Sequence, residues 1–251
     1  MATAENGCVV ASYNIHRCIG RDQQQDSQRV AAVVAEINAD IIGLQEVESR
    51  NGAQDAAQQL DLIAQRTHYE HIAGVTIERP DSHYGNGLLT RLSVSSVRRH
   101  DLSVPGREPR GVLDVVVNAA GTGLRVLVTH LGLAWRERQS QAQIITSLAN
   151  AEPDRPVVLL ADFNEWLPWG PALRRINRCF GQTPALRTFP SRRPLFRLDR
   201  VWVQPREALR AMWVHGTPLA RQASDHLPLV ARLDFAASDI GAGHIENTSN
   251  Q

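Results

Sequence analysis

The stretch Val157-Val158-Leu159-Leu160-Ala161-Asp162-Phe163-Asn164 decides the reading of the fold. Its apolar run is of strand length and opens on two β-branched residues, so it reads as a β-strand that stops on polar groups. Asp162 and Asn164 lie two apart, so at a strand end both side chains can project to one side. Working outward, comparable runs at residues 9–15, 41–47, 87–94, 112–117, 125–131, 198–203 and 227–233 read as strands. At least eight strands imply a large sheet or two packed sheets. Between them, residues 26–38 place Val30, Val33, Val34 and Ile37 on one helical face, and residues 53–67 and 135–150 are similarly amphipathic. Strands alternating with such helices indicate a layered α/β chain with its helices outside. Neither a repeat nor a linker interrupts the pattern, so one domain is expected over residues 1–235. Residues 236–251, rich in Ser, Asn and Gly, are expected to form a disordered tail.

Composition removes several classes of function. Hydrophobic residues make up 43% and charged residues 21% of the 251, too apolar a balance for disorder. No run is long enough to cross a bilayer, and the first residues lack the pattern of a signal peptide, so a cytoplasmic, monomeric protein is expected. The three cysteines form no close metal-binding pair, and their odd number argues against a disulfide framework. All 27 basic residues are arginine, which excludes Schiff-base lysine chemistry and a Walker-type phosphate loop. The formal net charge of +1 offers no general attraction to polyanions. Between Gly170 and Arg210, however, ten arginines face only Asp199 and Glu207. Arginine can grip a phosphate through two parallel hydrogen bonds.

Polar residues recur where the strands end. Asn14 and His16 close the first, Glu46 follows Ile-Gly-Leu-Gln, Asn86 sits in Tyr-Gly-Asn-Gly, and His130 ends Val-Leu-Val-Thr-His. Asp199 lies in Arg-Leu-Asp-Arg-Val, and Asp225 with His226 opens Ser-Asp-His-Leu-Pro-Leu. One carboxylate after a strand is most often a helix cap or turn residue. Seven such motifs are another matter, because strand ends converge on one edge and catalytic groups sit on loops held there.

The motifs Tyr-Asn-Ile, Leu-Gln-Glu-Val, Ala-Asp-Phe-Asn, Leu-Asp-Arg and Ser-Asp-His-Leu-Pro, in that order, resemble those of the endonuclease/exonuclease/phosphatase superfamily. That superfamily includes deoxyribonuclease I, abasic-site endonucleases, neutral sphingomyelinases and inositol polyphosphate phosphatases. The resemblance implies a four-layer α/β sandwich: two packed mixed β-sheets flanked by helices, with the active site at one rim. It also implies a divalent-metal-dependent phosphoesterase in which an activated water attacks phosphorus in line with the leaving oxygen. The metal role passes most firmly to Glu46. With Asn14 and Asp225 it would give the oxygen ligands that Mg²⁺ or Mn²⁺ accepts. The resemblance makes His226 the catalytic histidine and Asp199 the carboxylate that orients it, a pairing that favours imidazolium. Asp162 would orient or deprotonate the water, and Asn164 would bond a phosphate oxygen. His130 matches a second histidine that contacts phosphate, though no acidic partner for it stands out. Asn86 and Arg110 fall where relatives touch phosphate, with Arg107 close enough to compete with Arg110. His16 and the remaining histidines are expected to be structural or solvated.

Substrate stays open at this level between DNA or RNA and a phospholipid or inositol phosphate headgroup. An inactive binding module is disfavoured because every metal and acid-base position holds a competent residue. A metal-independent esterase is disfavoured because no Gly-x-Ser-x-Gly elbow is present. In the loop Glu165-Trp166-Leu167-Pro168-Trp169-Gly170-Pro171, two prolines and a glycine keep the chain from continuing as a helix. The commoner fate of its tryptophans is to pack under the rim; the alternative is an apolar, cationic lip.

Overall fold

The computed structural model describes residues 7–50, 59–119 and 121–235. Two mixed sheets form its centre. The first has the order β10-β11-β1-β2-β4-β3. Its strands are β1 (Gly7–Asn14), β2 (Ile41–Arg50), β3 (Glu70–Arg79), β4 (Ser82–Thr90), β10 (Leu209–Val214) and β11 (Leu229–Asp234). The second has the order β5-β6-β7-β8-β9. It is built from β5 (Val94–Asp101), β6 (Gly111–Ala119), β7 (Thr122–His130), β8 (Val157–Asp162) and β9 (Asp199–Gln204). Each sheet holds one parallel pair, β1 with β2 and β7 with β8, and the remaining pairings are antiparallel. A parallel pair needs a crossover. Helix α1 (Ser27–Ile37) supplies one and α3 (Trp135–Asn150) the other.

Three buried clusters define the layers. Val10, Ile41, Leu88, Leu113, Val126 and Leu160 pack between the sheets. Val30, Val33, Val34 and Ile37 of α1, with Leu60 and Ile63 of α2 (Gln59–Thr67) and Ala220 of α5 (Pro218–Ala223), cover the first sheet. Ala142 and Ile145 of α3, with Leu173 and Ile176 of α4 (Pro171–Phe180), cover the second around Trp202. The order helix, sheet, sheet, helix is the expected four-layer sandwich. Gly43 marks a close approach of the sheets, where a Cβ would stand 3.0 Å from Leu160 and 3.1 Å from Val128. No helix among the described residues is long and apolar enough to cross a membrane.

The structure corrects several boundaries. The single strand expected at residues 87–94 is two, because Thr90 Oγ1 accepts the Leu92 N–H at 3.0 Å and turns the chain between β4 and β5. Strands β3 and β10 and helices α4 and α5 were not foreseen. Helix α2 is described from Gln59, so residues 53–58 of the expected helix lie outside the described residues, as does the tail 236–251.

Candidate active site

Parallel pairing brings the C-terminal ends of β1, β7 and β8 to one rim, together with the middle of β2, where Glu46 lies. Asn14 stands opposite Gln45 and His130 opposite Asp162. Asp199 does not end a strand but begins one: β9 runs antiparallel to β8, so its first residue stands opposite Asp162 at the same rim. His226 likewise precedes β11, which is antiparallel to β1.

Two residues reach the rim through left-handed backbone. Glu46 has φ 57° where the β2–β4 register shifts between Leu44 and Val47. Such a bulge leaves a residue unpaired and re-aims its side chain. Asn164 has φ 49°, and its Nδ2 donates to Leu131 O at 2.9 Å while lying 2.9 Å from His130 Nε2. Non-glycine residues rarely hold this conformation unless their surroundings enforce it.

Asp162 is the centre of the arrangement. Its Oδ2 accepts Asn14 Nδ2 at 2.9 Å and lies 3.5 Å from His130 Nε2 and 3.8 Å from His226 Nε2, while Oδ1 accepts the Asn164 N–H at 3.1 Å. Burial alone would raise its pKa; His130, His226 and the Asn14 and Asn164 donors outweigh that and hold it below the usual carboxylate value. His226 Nδ1 lies 2.8 Å from Asp199 Oδ2, which also accepts Thr188 Oγ1 at 2.5 Å. Burial disfavours a charged His226, but Asp199 and Asp162 prevail and push its pKa up to about 10. Burial raises the Asp199 carboxyl, with His226 and Thr188 pulling the other way. His130 differs: burial first, and then Arg110, lower its pKa, so it stays neutral. Its partner at Nδ1 is Arg110 at 3.2 Å, not an acid. Arginine can only donate, so Nδ1 faces a donor, while Nε2 lies between the Asn164 amide nitrogen and Asp162.

Asn14 stands between two carboxylates. Its Oδ1 accepts the His16 N–H at 2.9 Å, so its NH₂ group faces the site and bridges Asp162 to Glu46 Oε1 at 3.0 Å. It thus holds two carboxylates in place and turns no oxygen toward them. Arg110 is buried and ion-paired to Glu108 at 2.9 Å, whereas Arg107 is exposed. Asn86 stands apart from this group. Its Nδ2 donates to Gly111 O at 3.2 Å and ties β4 to β6 across the sheets.

A cavity of about 450 Å³ opens over these residues, bordered by Glu46, Asp162, Asn164, His130, His226, Asp225 and Arg110. Trp166 also lines it, as do Arg17, Tyr84 and Phe189, which had not been singled out. His16 Nδ1 lies 3.7 Å from Asp225 Oδ1, beside the site. His16 had a legible signal, standing two residues after Asn14 just as Asn164 stands two after Asp162. Arg17 had none, because residues 16–18 all adopt positive φ without a glycine.

Oxygens of Asp162 and Asp199 and a nitrogen of His226 lie within 4.8 Å of one another. The members of this trio already bond protein partners, His226 Nδ1 to Asp199 and Asp162 to Asn14 and the Asn164 N–H, so it reads as an internal hydrogen-bonded network. The donors that fit a hard cation are the partly exposed carboxylates of Glu46 and Asp225 on the cavity wall.

With this geometry in hand, the sequence model of the Endonuclease/Exonuclease/phosphatase family matches residues 11–226. The chain belongs to that family. Within it, YbhP of Escherichia coli K12 is 34% identical over 222 residues, covering 80% of this chain and 85% of YbhP. The endonuclease/exonuclease/phosphatase of Beutenbergia cavernae shares the fold at TM-score 0.73 and 23% identity, covering 91% of this chain and 71% of its own. A Bacteroides thetaiotaomicron mannosyl-6-phosphatase does so at TM-score 0.67 and 18% identity, over 91% of this chain and all of its own. Members of the Endonuclease/Exonuclease/phosphatase family are phosphoesterases, which matches a rim that gathers carboxylates, imidazoles and a buried arginine.

Proposed function

We propose that the chain is a Mg²⁺- or Mn²⁺-dependent hydrolase of phosphate esters. The observation that carries this reading is the Asp162 junction, where one ionised carboxylate meets a neutral His130, a protonated His226 and two amides at the floor of an open cavity. Glu46 and Asp225 would hold the cation. When bound, it would neutralise phosphate charge and polarise a phosphoryl oxygen.

The protein's own groups divide the remaining work. Asp162, kept ionised, takes a proton from the attacking water and fixes its direction. The water oxygen bonds to phosphorus as the ester P–O bond breaks, the leaving oxygen takes a proton from solvent, and Asp162 returns to solvent the proton it took. His226, held as imidazolium by Asp199, faces the charge that builds on the phosphoryl oxygens. The His130 ring, the Asn164 amide and Arg110 stand ready to bond the same oxygens. Asn14 keeps Glu46 and Asp162 a fixed distance apart.

Hydrolysis of bis(4-nitrophenyl) phosphate tests the reading. Turnover should appear with Mg²⁺ or Mn²⁺ and disappear with Asp162→Asn. Undiminished turnover in excess chelator, or in that variant, refutes it.

A further inference from the structure

The cavity opens beneath an apolar, arginine-bordered rim. Leu133 and Trp166 both border the cavity and remain 70% and 45% exposed. In the loop between β8 and α4, Leu167 is 51% and Trp169 64% exposed, and in the loop before β9, Leu195 is 60% exposed. Soluble proteins seldom gather exposed large apolar side chains in one place without a partner for them.

These loops are fastened together. The Trp166 ring stands edge-on to Phe196 at 4.7 Å and to Phe189 at 5.8 Å, and Phe189 in turn lies 4.7 Å from His226. Arg138 donates to Leu133 O at 2.5 Å and to Glu165 Oε1 at 3.3 Å, joining the start of α3 to the loop after β8. The charge is one-sided. From Phe163 to Leu198 there are seven arginines and a single acid, Glu165, which is buried against Arg138. Arg192 and Arg193 are exposed three and two residues before Leu195, and the exposed Arg136 lies 5.1 Å over the Trp135 ring.

We infer that this rim docks on the surface of an anionic phospholipid bilayer, so that the ester presented to the cavity is a headgroup phosphate ester. The inference rests on the phosphoesterase reading and names its substrate class. Apolar tips ringed by arginine match the acyl boundary and anionic headgroups, with guanidinium groups staying at headgroup level while the apolar tips sink below it. A single-stranded nucleic acid fits less well, because bases need open aromatic faces. Leu133, Leu167 and Leu195 offer none, Trp166 is flanked by Phe189 and Phe196, and Trp135 is covered by Arg136, which leaves Trp169 as the one open ring among these rim residues, too few to stack successive bases.

Cosedimentation of the full chain with phosphatidylcholine vesicles, with and without phosphatidylglycerol, tests the rim. The wild type should bind the phosphatidylglycerol vesicles, and less so at high salt. The combined variant Leu167→Ser, Trp169→Ser, Leu195→Ser changes exposed residues that do not border the cavity. It should bind about tenfold or more weakly while keeping its melting temperature and its hydrolysis of bis(4-nitrophenyl) phosphate. Arg192→Gln with Arg193→Gln should remove most of the preference for phosphatidylglycerol. The inference is overturned if the wild type ignores both vesicle types, if the triple variant binds them as well as the wild type, or if that variant loses affinity for a single-stranded oligonucleotide and not for vesicles. Vesicle binding needs no turnover, so failure of docking with soluble hydrolysis intact leaves the phosphoesterase reading standing. Docking without any hydrolysis refutes that reading alone.

Discussion

Asp162 and Asp199 stand opposite each other on neighbouring strands and are both buried, yet their surroundings give them different tasks. Asp162 is bonded by Asn14 and the Asn164 backbone and remains a base, whereas Asp199 is spent on His226. Because His226 and Asp199 act as one unit, His226→Ala and Asp199→Asn should each cut turnover by about a hundredfold or more, with the double variant little worse than His226→Ala. Multiplying effects in steady-state kinetics would show that they work separately. The pH dependence has a definite sign. A histidine raised from 6.5 to about 10 adds stability that is complete below 6.5 and is lost as pH climbs through 10. The alkaline fall of the rate should therefore centre near pH 10, and Asp199→Asn should move it to lower pH, because the foremost raising influence is gone. An unmoved alkaline limb in a pH–rate profile would show that another group sets it.

Strands buried along their length announce themselves in sequence, even the edge strand β9, and exposed edge strands do not. Strand β8 is buried at every position and its apolar run was legible. Strands β3, β5 and β10 lie at sheet edges with few buried residues, so no apolar alternation marks them. Helix α4 was hidden by Pro171, which reads as a breaker but sits in the first helical turn, where its missing N–H costs nothing. The site was legible to the extent that it ends on strands. Asp162, Asn164, His130 and His226 meet as expected, whereas Arg110 as the partner of His130 depends on a sheet register that no local pattern encodes. The exposed Trp166 and Trp169 reverse the commoner expectation for tryptophan, because the loop that carries them passes over the cavity instead of under it. Away from the rim, Arg125 of β7 makes two bonds of 2.8 and 2.7 Å to the buried Asp114 of β6 and a third to Leu148 O of α3. It stands five residues before His130, about 16 Å along the strand. Arg125→Met should cost about 3 kcal/mol in denaturant unfolding by stripping a buried carboxylate of its main partner, while turnover per folded molecule stays the same. A loss below about 1 kcal/mol would mean that His100 and Arg98, also bonded to Asp114, suffice without it.

For the molecule as a whole, the four layers converge on one carboxylate-lined rim in a chain whose formal charge is nearly balanced, at +1. Glu46 and Asp225 border the same cavity, with Asp162 at its floor, so the folded state gathers three carboxylates that the unfolded chain disperses. A divalent cation relieves that repulsion only in the folded state, so binding should stabilise the whole fold by mass action. At a hundred times the dissociation constant the gain is about 2.7 kcal/mol, or about 5 to 10 °C in melting temperature for a chain of this size. Glu46→Gln removes one anionic donor and should abolish most of that shift while leaving the metal-free melting temperature the same or slightly higher, since less negative charge is gathered at the rim. Scanning fluorimetry with increasing Mg²⁺ and Mn²⁺ reads this without any substrate, and chelator should return both proteins to their metal-free values. A shift of equal size in wild type and Glu46→Gln would place the cation elsewhere on the protein. No shift at millimolar metal in the wild type would mean that the rim holds the ion only when a phosphate ester completes its coordination, and the same scan repeated with a non-hydrolysable phosphate analogue should then recover the difference between the two proteins.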